Sequence, residues 1–157
     1  MSYERFFGSG PTGLTATFFI WVAAYFLGEW LGIPPIGMNP TFWLVLLWFF
    51  VVDLTVTVIW SLLALPVGER GKKLVTSGPY RLMRHPLYAA FIWSGTGAAA
   101  VWLQSWLLIF SVIPIHIFWV WHIRNEELFM LEQFGAEYKA YMETTGQFFP
   151  ILRRDKK

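Results

Sequence analysis

The run Gly78-Pro79-Tyr80-Arg81-Leu82-Met83-Arg84-His85-Pro86-Leu87-Tyr88 crowds two guanidinium groups, an imidazole and two phenols into a short stretch. Proline suits the first turn of a helix and holds the residue before it extended. His85 is therefore expected at the mouth of a helix begun by Pro86, beside free backbone N–H groups that favour an anion. Arg81 and Arg84 add positive charge there. Gly78-Pro79 turns the chain, and Tyr80 offers a ring and a hydroxyl. These residue types suit a pocket for a ligand that carries a carboxylate and an aromatic base. A basic interfacial loop ahead of a proline-started helix is the plainer reading.

A second group is Arg124-Asn125-Glu126-Glu127. Glu126 lies four residues after His122 and Glu127 three after Arg124, so each pair can meet along one helix face. Adjacent carboxylates repel unless something positive is near, and Arg81, Arg84 or a cationic ligand would supply it. A solvated acidic turn is the alternative. Asp53 and His116 fall inside apolar stretches at similar depth. Acids there are rare and usually paired or functional. An Asp53–His116 hydrogen bond is the bland expectation, and Asp53 facing the polar head of an acceptor the sharper one.

The elements that position these groups are apolar. Of 157 residues, 56% are hydrophobic and 14% charged, with a mean hydropathy of +0.49. That is too apolar for a soluble domain of this size. Four stretches approach the roughly 20 apolar residues a membrane-spanning helix needs: about 12–31, 41–65, 87–102 and 105–123. A connector at 66–86 and an amphipathic C-terminal helix at 124–145 complete a single membrane domain. In that last helix Leu128, Leu131, Phe134, Tyr138 and Tyr141 recur at helical spacing, with Gly135 a possible interruption. It is expected against the membrane surface or folded back over the connector. Pro114 is expected to kink the fourth helix.

Charge sets the orientation. The twelve Lys and Arg lie at Arg5, between 70 and 84, or from Arg124 onward, and the loops at 32–40 and 103–105 have none. The positive-inside rule then puts both termini and the connector in the cytoplasm. Trp30, Trp43, Trp102 and Trp106 gather at the opposite boundary as interfacial anchors. The basic tail Arg153, Arg154, Lys156 and Lys157 is suited to anionic headgroups. A net charge of +2, placed where topology requires it, argues against nucleic acid. Without cysteine there is no disulfide or thiol catalysis, and three histidines make a poor metal set. The first apolar stretch lacks a basic leader and a cleavage site, so it is expected as a retained helix. The compactness suggests a prokaryotic cytoplasmic membrane.

The segment from Leu74 to Tyr80, then Arg84-His85-Pro86-Leu87-Tyr88, resembles the isoprenylcysteine carboxyl methyltransferase and phospholipid methyltransferase family. So does Arg124-Asn125-Glu126-Glu127-Leu128 with the later Phe134-Gly135, Tyr138, Tyr141 and Pro150. The resemblance covers about the C-terminal half. It implies an integral-membrane methyltransferase that uses S-adenosylmethionine in a cytoplasmic pocket. By motif, Tyr80, Arg84, His85, Pro86, Tyr88, Glu126 and Glu127 would form the cofactor site, with Leu74, Val75 and Gly78 along its connector side. Arg84, Glu126 and Glu127 are the catalytic candidates, and Asp53, His116 and His122 the candidates for the acceptor side. Ala90 stands where relatives often have glycine.

The implied acceptor is a lipophile from the bilayer: a prenylcysteine-type carboxylate, a phospholipid amine or a small thiol. Methyl transfer needs alignment and exclusion of water rather than a metal. A carboxylate attacks without a base, whereas an amine or thiol must lose a proton, which Glu126, Glu127 or His122 is placed to accept. Two other readings stand beside it: a nicotinamide-dependent reductase of the sterol-reductase type, and a non-catalytic membrane scaffold.

Overall fold

The computed structural model describes residues 8–69 and 72–151. Arg5, Arg70 and the tail Arg153, Arg154, Lys156 and Lys157 lie outside the described residues. Among the described residues the secondary structure is helical, with one isolated parallel bridge between Met83 and Gly146. Helix α1 is Gly10–Trp30 and α2 is Pro40–Ala64. A third helix, α3, fills 86–102 as Pro86–Ala90, a π-helical turn Phe91–Gly95 and Thr96–Trp102. Helix α4 is Trp106–His122, and α5 follows as Arg124–Thr144. Three helical runs, those beginning at Gly10, Pro40 and Trp106, are long and apolar enough to cross a membrane. The helix at 86–102 is shorter.

Local chemistry sets the boundaries. Asn39 caps α2: its Oδ1 accepts from the N–H groups of Thr41 at 3.0 Å and Phe42 at 3.4 Å. Pro40 then stands in the first turn, where its missing N–H costs nothing. Gln104, with φ of 48°, closes the turn between α3 and α4. At that same end the Ile36 N–H donates to the Gln104 carbonyl at 2.9 Å, and Trp43 packs on Trp102. The four boundary tryptophans thus gather at one end, and His85, His122 and Ser9 at the other. Pro114 sits inside an α4 that continues through it.

Packing explains the composition. Helix α1 lies on α4, and α3 lies between α4 and α2. Gly13 makes the first contact possible: a Cβ there would fall 2.3 Å from the Trp119 ring. The buried Trp119 indole donates to Thr17 at 2.9 Å, and the half-buried Trp21 donates to Thr96 at 3.0 Å, so indoles tie the helices together. In α2, by contrast, Ser61 is the one buried residue. A helix that is apolar all round yet packed on one side has hydrocarbon as its other neighbour. The molecule is an all-α membrane protein.

The C-terminal helix chooses one of its two expected positions. Gly135 takes φ of 52° and breaks α5, which redirects the second half. Beyond the break Tyr138 and Tyr141 are buried, whereas Leu128 before it is exposed. The apolar stripe is therefore not one continuous buried face. The Tyr141 hydroxyl donates to the Tyr80 carbonyl at 2.5 Å, which folds the helix back onto the connector.

Candidate functional site

Four charged or titratable side chains meet where α3 begins and α4 ends. Pro86 starts α3 and is buried, and His85 before it has the non-helical φ of −126°. Its ring is directed away from its own helix toward the start of α5. His85 Nε2 lies 3.2 Å from Glu127 Oε1, and Nδ1 lies 3.8 Å from Glu126 Oε1. A buried imidazole is thus held between two adjacent carboxylates. The hydrogen bond is at Glu127; 3.8 Å to Glu126 is an electrostatic contact only.

Glu127 is the saturated member of the pair. It accepts from Arg84 Nε at 2.9 Å, from the His85 ring, and from Gln147 Nε2 at 3.2 Å. Burial alone would raise its carboxyl, but the hydrogen bonds and charges of His85 and Arg84 outweigh that and hold it below the ordinary value. Arg84 is in turn locked by the last turn of α5 and the residue after it: its guanidinium donates to the carbonyls of Met142, at 3.4 Å, and of Thr145. The backbone does the same, with Arg84 N–H on the Gly146 carbonyl at 2.8 Å and His85 N–H on Gln147 at 3.1 Å. This strap, 145–151, is what fixes the Arg84-His85 pair.

Glu126 is the open member. Its Oε2 accepts from the Ser9 N–H at 3.0 Å and the Tyr88 hydroxyl at 3.1 Å, while Oε1 makes no hydrogen bond among the described residues. A quarter of its side chain is exposed. Tyr88 stacks parallel to His85 with ring centroids 5.6 Å apart and lies on Trp119 at 4.6 Å. The site has two fixed carboxylates, one guanidinium and one imidazole, with acceptor capacity left on Glu126.

Several pairings expected from spacing give way to longer-range ones. Glu127 pairs with Arg84 rather than with Arg124, because α3 delivers the guanidinium directly to it. His122 does not bond Glu126: its Nε2 meets Thr12 Oγ1 at 2.9 Å and the Ser9 carbonyl at 3.2 Å, both from the start of α1. Arg81 is exposed and makes no hydrogen bond to either glutamate among the described residues. Leu74 and Val75 are half-buried on the connector, and Gly78 packs on Trp60 and Ala64 of α2, so neither group joins the network. The Tyr80 carbonyl accepts from the Tyr141 hydroxyl of α5.

The expected Asp53–His116 bond is replaced. Asp53 accepts from the Ser94 hydroxyl in the π-helical turn of α3, and His116 Nδ1 has no hydrogen-bond partner among the described residues. Helix α2 packs chiefly on α3, so Asp53 is on the wrong side of α3 to meet His116 on α4. Sequence reasoning missed Ser9, Ser94, Gln147 and Phe148. Gln147 and Phe148 have one sequence signal, Gly146 just past the end of α5; Ser9 and Ser94 have none.

The sequence that builds this site has relatives among known proteins. The phospholipid methyltransferase family model matches residues 42–137, and the chain belongs to that family. Over 84 residues, 54% of this chain, it is 33% identical to the protein-S-isoprenylcysteine O-methyltransferase of Saccharomyces cerevisiae, covering 35% of that protein. It is 32% identical to protein-S-isoprenylcysteine O-methyltransferase A of Arabidopsis thaliana, again over 54% of this chain and covering 43% of the relative. The cobalt-zinc-cadmium resistance protein CzcN of Cupriavidus metallidurans is 33% identical over 85 residues, 54% of this chain and 39% of CzcN. The match thus spans less than half the length of each of these relatives.

Proposed function

We propose that this chain is an S-adenosylmethionine-dependent methyltransferase that acts on a lipophilic acceptor drawn from the bilayer, with its donor site on the cytoplasmic face. One observation carries the reading: the buried imidazole of His85, locked by Arg84 and the strap between Glu126 and Glu127, within the family match. The positive charges at this end of the bundle support the cytoplasmic assignment.

The residues present fit the cofactor. An α-ammonium needs a hydrogen-bond acceptor, and Glu126 Oε1 is one with no hydrogen bond among the described residues. Arg84 is bonded to Glu127 and not to Glu126 among the described residues, which leaves the Glu126 carboxylate the better placed of the two for a positively charged group. Tyr80, Arg84, His85, Pro86, Tyr88, Glu126 and Glu127 would hold the group, with Leu74, Val75 and Gly78 on the connector side. When bound, S-adenosylmethionine supplies an electrophilic methyl group on a sulfonium.

The chain's own part is alignment and dryness. Arg84, clamped to two backbone carbonyls and Glu127, holds the α3 entrance and the strap in one geometry, so little reorganisation is left for the reaction. Trp119, Ile123 and Phe148, all buried, keep water from the bundle side. The two glutamates divide the remaining work. Glu127 already accepts three donors and its carboxyl is held low, so it is a poor base and a good anchor. Glu126, open on one oxygen, and His122 are the groups placed to take a proton from an amine or thiol acceptor.

Calorimetric titration of the purified full chain with S-adenosylhomocysteine and with NADPH tests the reading. Binding of S-adenosylhomocysteine alone is expected. Binding of NADPH alone would point to a membrane reductase, and binding of neither to a scaffold. Transfer of a labelled methyl group into a total lipid extract, followed by mass spectrometry, would then name the acceptor.

A further inference from the structure

Among the described residues, two buried side-chain polar atoms lack a hydrogen-bond partner: Trp93 Nε1 and His116 Nδ1. They belong to neighbouring rings, with centroids 5.4 Å apart and planes tilted by 42°. Phe149 covers both, at 4.6 Å from Trp93 and 5.8 Å from His116. Phe148 meets His116 edge-on at 5.5 Å, and its other neighbour is His85 at 5.9 Å. A single phenyl ring, that of Phe148, therefore lies between His116 and the imidazole held by the glutamates. Buried polar groups are nearly always paired, so two unpaired ones side by side call for an explanation.

The surroundings narrow what can pair with them. Trp93 lies in the π-helical turn Phe91–Gly95, a kind of distortion that recurs at functional sites. Its neighbour Ser94 is already committed to Asp53, so that carboxylate is engaged elsewhere. An indole N–H only donates, so its partner must bring a lone pair; the imidazole nitrogen accepts or donates according to tautomer. Phe149, half-exposed, forms the outer wall. The walls are aromatic, which suits the hydrocarbon next to a polar head.

We infer that Trp93 and His116 bind the head of the lipophilic acceptor and select a head with a hydrogen-bond-accepting lone pair, a carboxylate or thiolate, over an ammonium. The word acceptor rests on the methyl-transfer reading; the binding site itself does not. An ammonium carries only donors and leaves the indole N–H unmet, with attraction to the ring faces as its sole compensation.

The test uses three probes with one tail: decanoate, decanethiol and decylamine. They are titrated into the full chain carrying ¹⁵N-labelled tryptophan in detergent micelles. The Trp93 indole signal is assigned by its loss in Trp93→Phe. It is expected to move with decanoate or decanethiol, whichever head is the better fit, and to stay with decylamine. Trp93→Phe should weaken the successful probe about tenfold or more, the loss of a hydrogen bond to a charged partner. A shift with decylamine alone, or with no probe, would overturn the inference. S-adenosylhomocysteine binding, measured on the same sample, stands apart from this result. If it binds while no probe moves the signal, the donor reading survives and this one falls. If a probe moves the signal and S-adenosylhomocysteine does not bind, the reverse holds.

Discussion

The start of α3 and its middle solve the burial of polar groups in opposite ways. At the start, Arg84, His85 and Glu127 satisfy one another, and the strap supplies carbonyls for what is left over. Two turns further on, Trp93 and its neighbour His116 on α4 bury a polar atom each and pair neither. Buried networks are rigid when complete and costly when partial. The first region is therefore built in advance. The second is complete only when a ligand arrives. That division suits an enzyme with a fixed donor site and an acceptor that enters from the bilayer.

The comparison breaks hardest at Glu127. Glu127→Ala leaves Arg84, whose side chain is 10% exposed, without its carboxylate. Removing one partner of a buried ion pair costs about 3 kcal/mol or more. Methyl transfer should fall to background with any acceptor. Glu127→Gln, which keeps the shape and one acceptor oxygen, should recover much of the stability and little of the activity. Denaturant midpoints of the two variants beside labelled-methyl transfer separate the outcomes. Full activity with unchanged S-adenosylhomocysteine affinity in Glu127→Ala would remove Glu127 from the site.

How much of this was legible in the sequence follows from what sets each contact. The helices were, because uniform apolarity and the Asn39-Pro40 and Gln104-Ser105 breaks are local properties. That Arg84 and the glutamates share one end of the bundle was also readable, from charge placement and helix direction. Their partners were not. Helical spacing offered Arg124 to Glu127 and His122 to Glu126, and both lost to residues from other elements. A three- or four-residue spacing permits a pair at small gain, and a packed neighbour displaces it easily. The strap was the least visible part. Residues 145–151 carry no charge, and beside the Gln147 amide and the rings of Phe148 and Phe149 they act through backbone carbonyls, which leave no trace in residue type.

Acid and alkali probe the completed region more gently. The Glu127 carboxyl is held below its ordinary value of 4.5. Its contribution to stability is therefore whole above that pH and is lost as pH falls through the lower folded value. Burial, with the neighbouring carboxylate of Glu127, pushes the Tyr138 hydroxyl well above its usual 10.0, and burial does the same for Tyr141. Above pH 10 the unfolded chain releases protons that the folded one retains, so stability falls again. The expected profile is a plateau from about pH 5 to 9 with a drop at each end. In Glu127→Gln the acid drop should flatten, while the alkaline one, set mainly by burial of Tyr138 and Tyr141, should shrink only slightly. An acid limb unchanged in that variant would assign it to another carboxylate.

The smallest effect is expected where an intuition from the first region would forecast a large one. Trp93 is an aromatic residue in the wall of a buried cluster, and its truncation to Phe removes packing, a loss of about 1 kcal/mol or more in a tight core. The same change also removes a buried donor that has no acceptor, and burying such a group without a bond costs about 1–3 kcal/mol. The two terms oppose each other. Trp93→Phe should therefore move stability by less than about 1 kcal/mol in either direction in the ligand-free chain, measured by the same denaturant titration. With decanoate present the balance changes, because wild type gains a bond that the variant cannot make. The variant should then gain less stability from the probe than wild type does. Equal stabilisation of both would show that the indole N–H meets nothing, and the two regions would no longer differ in kind.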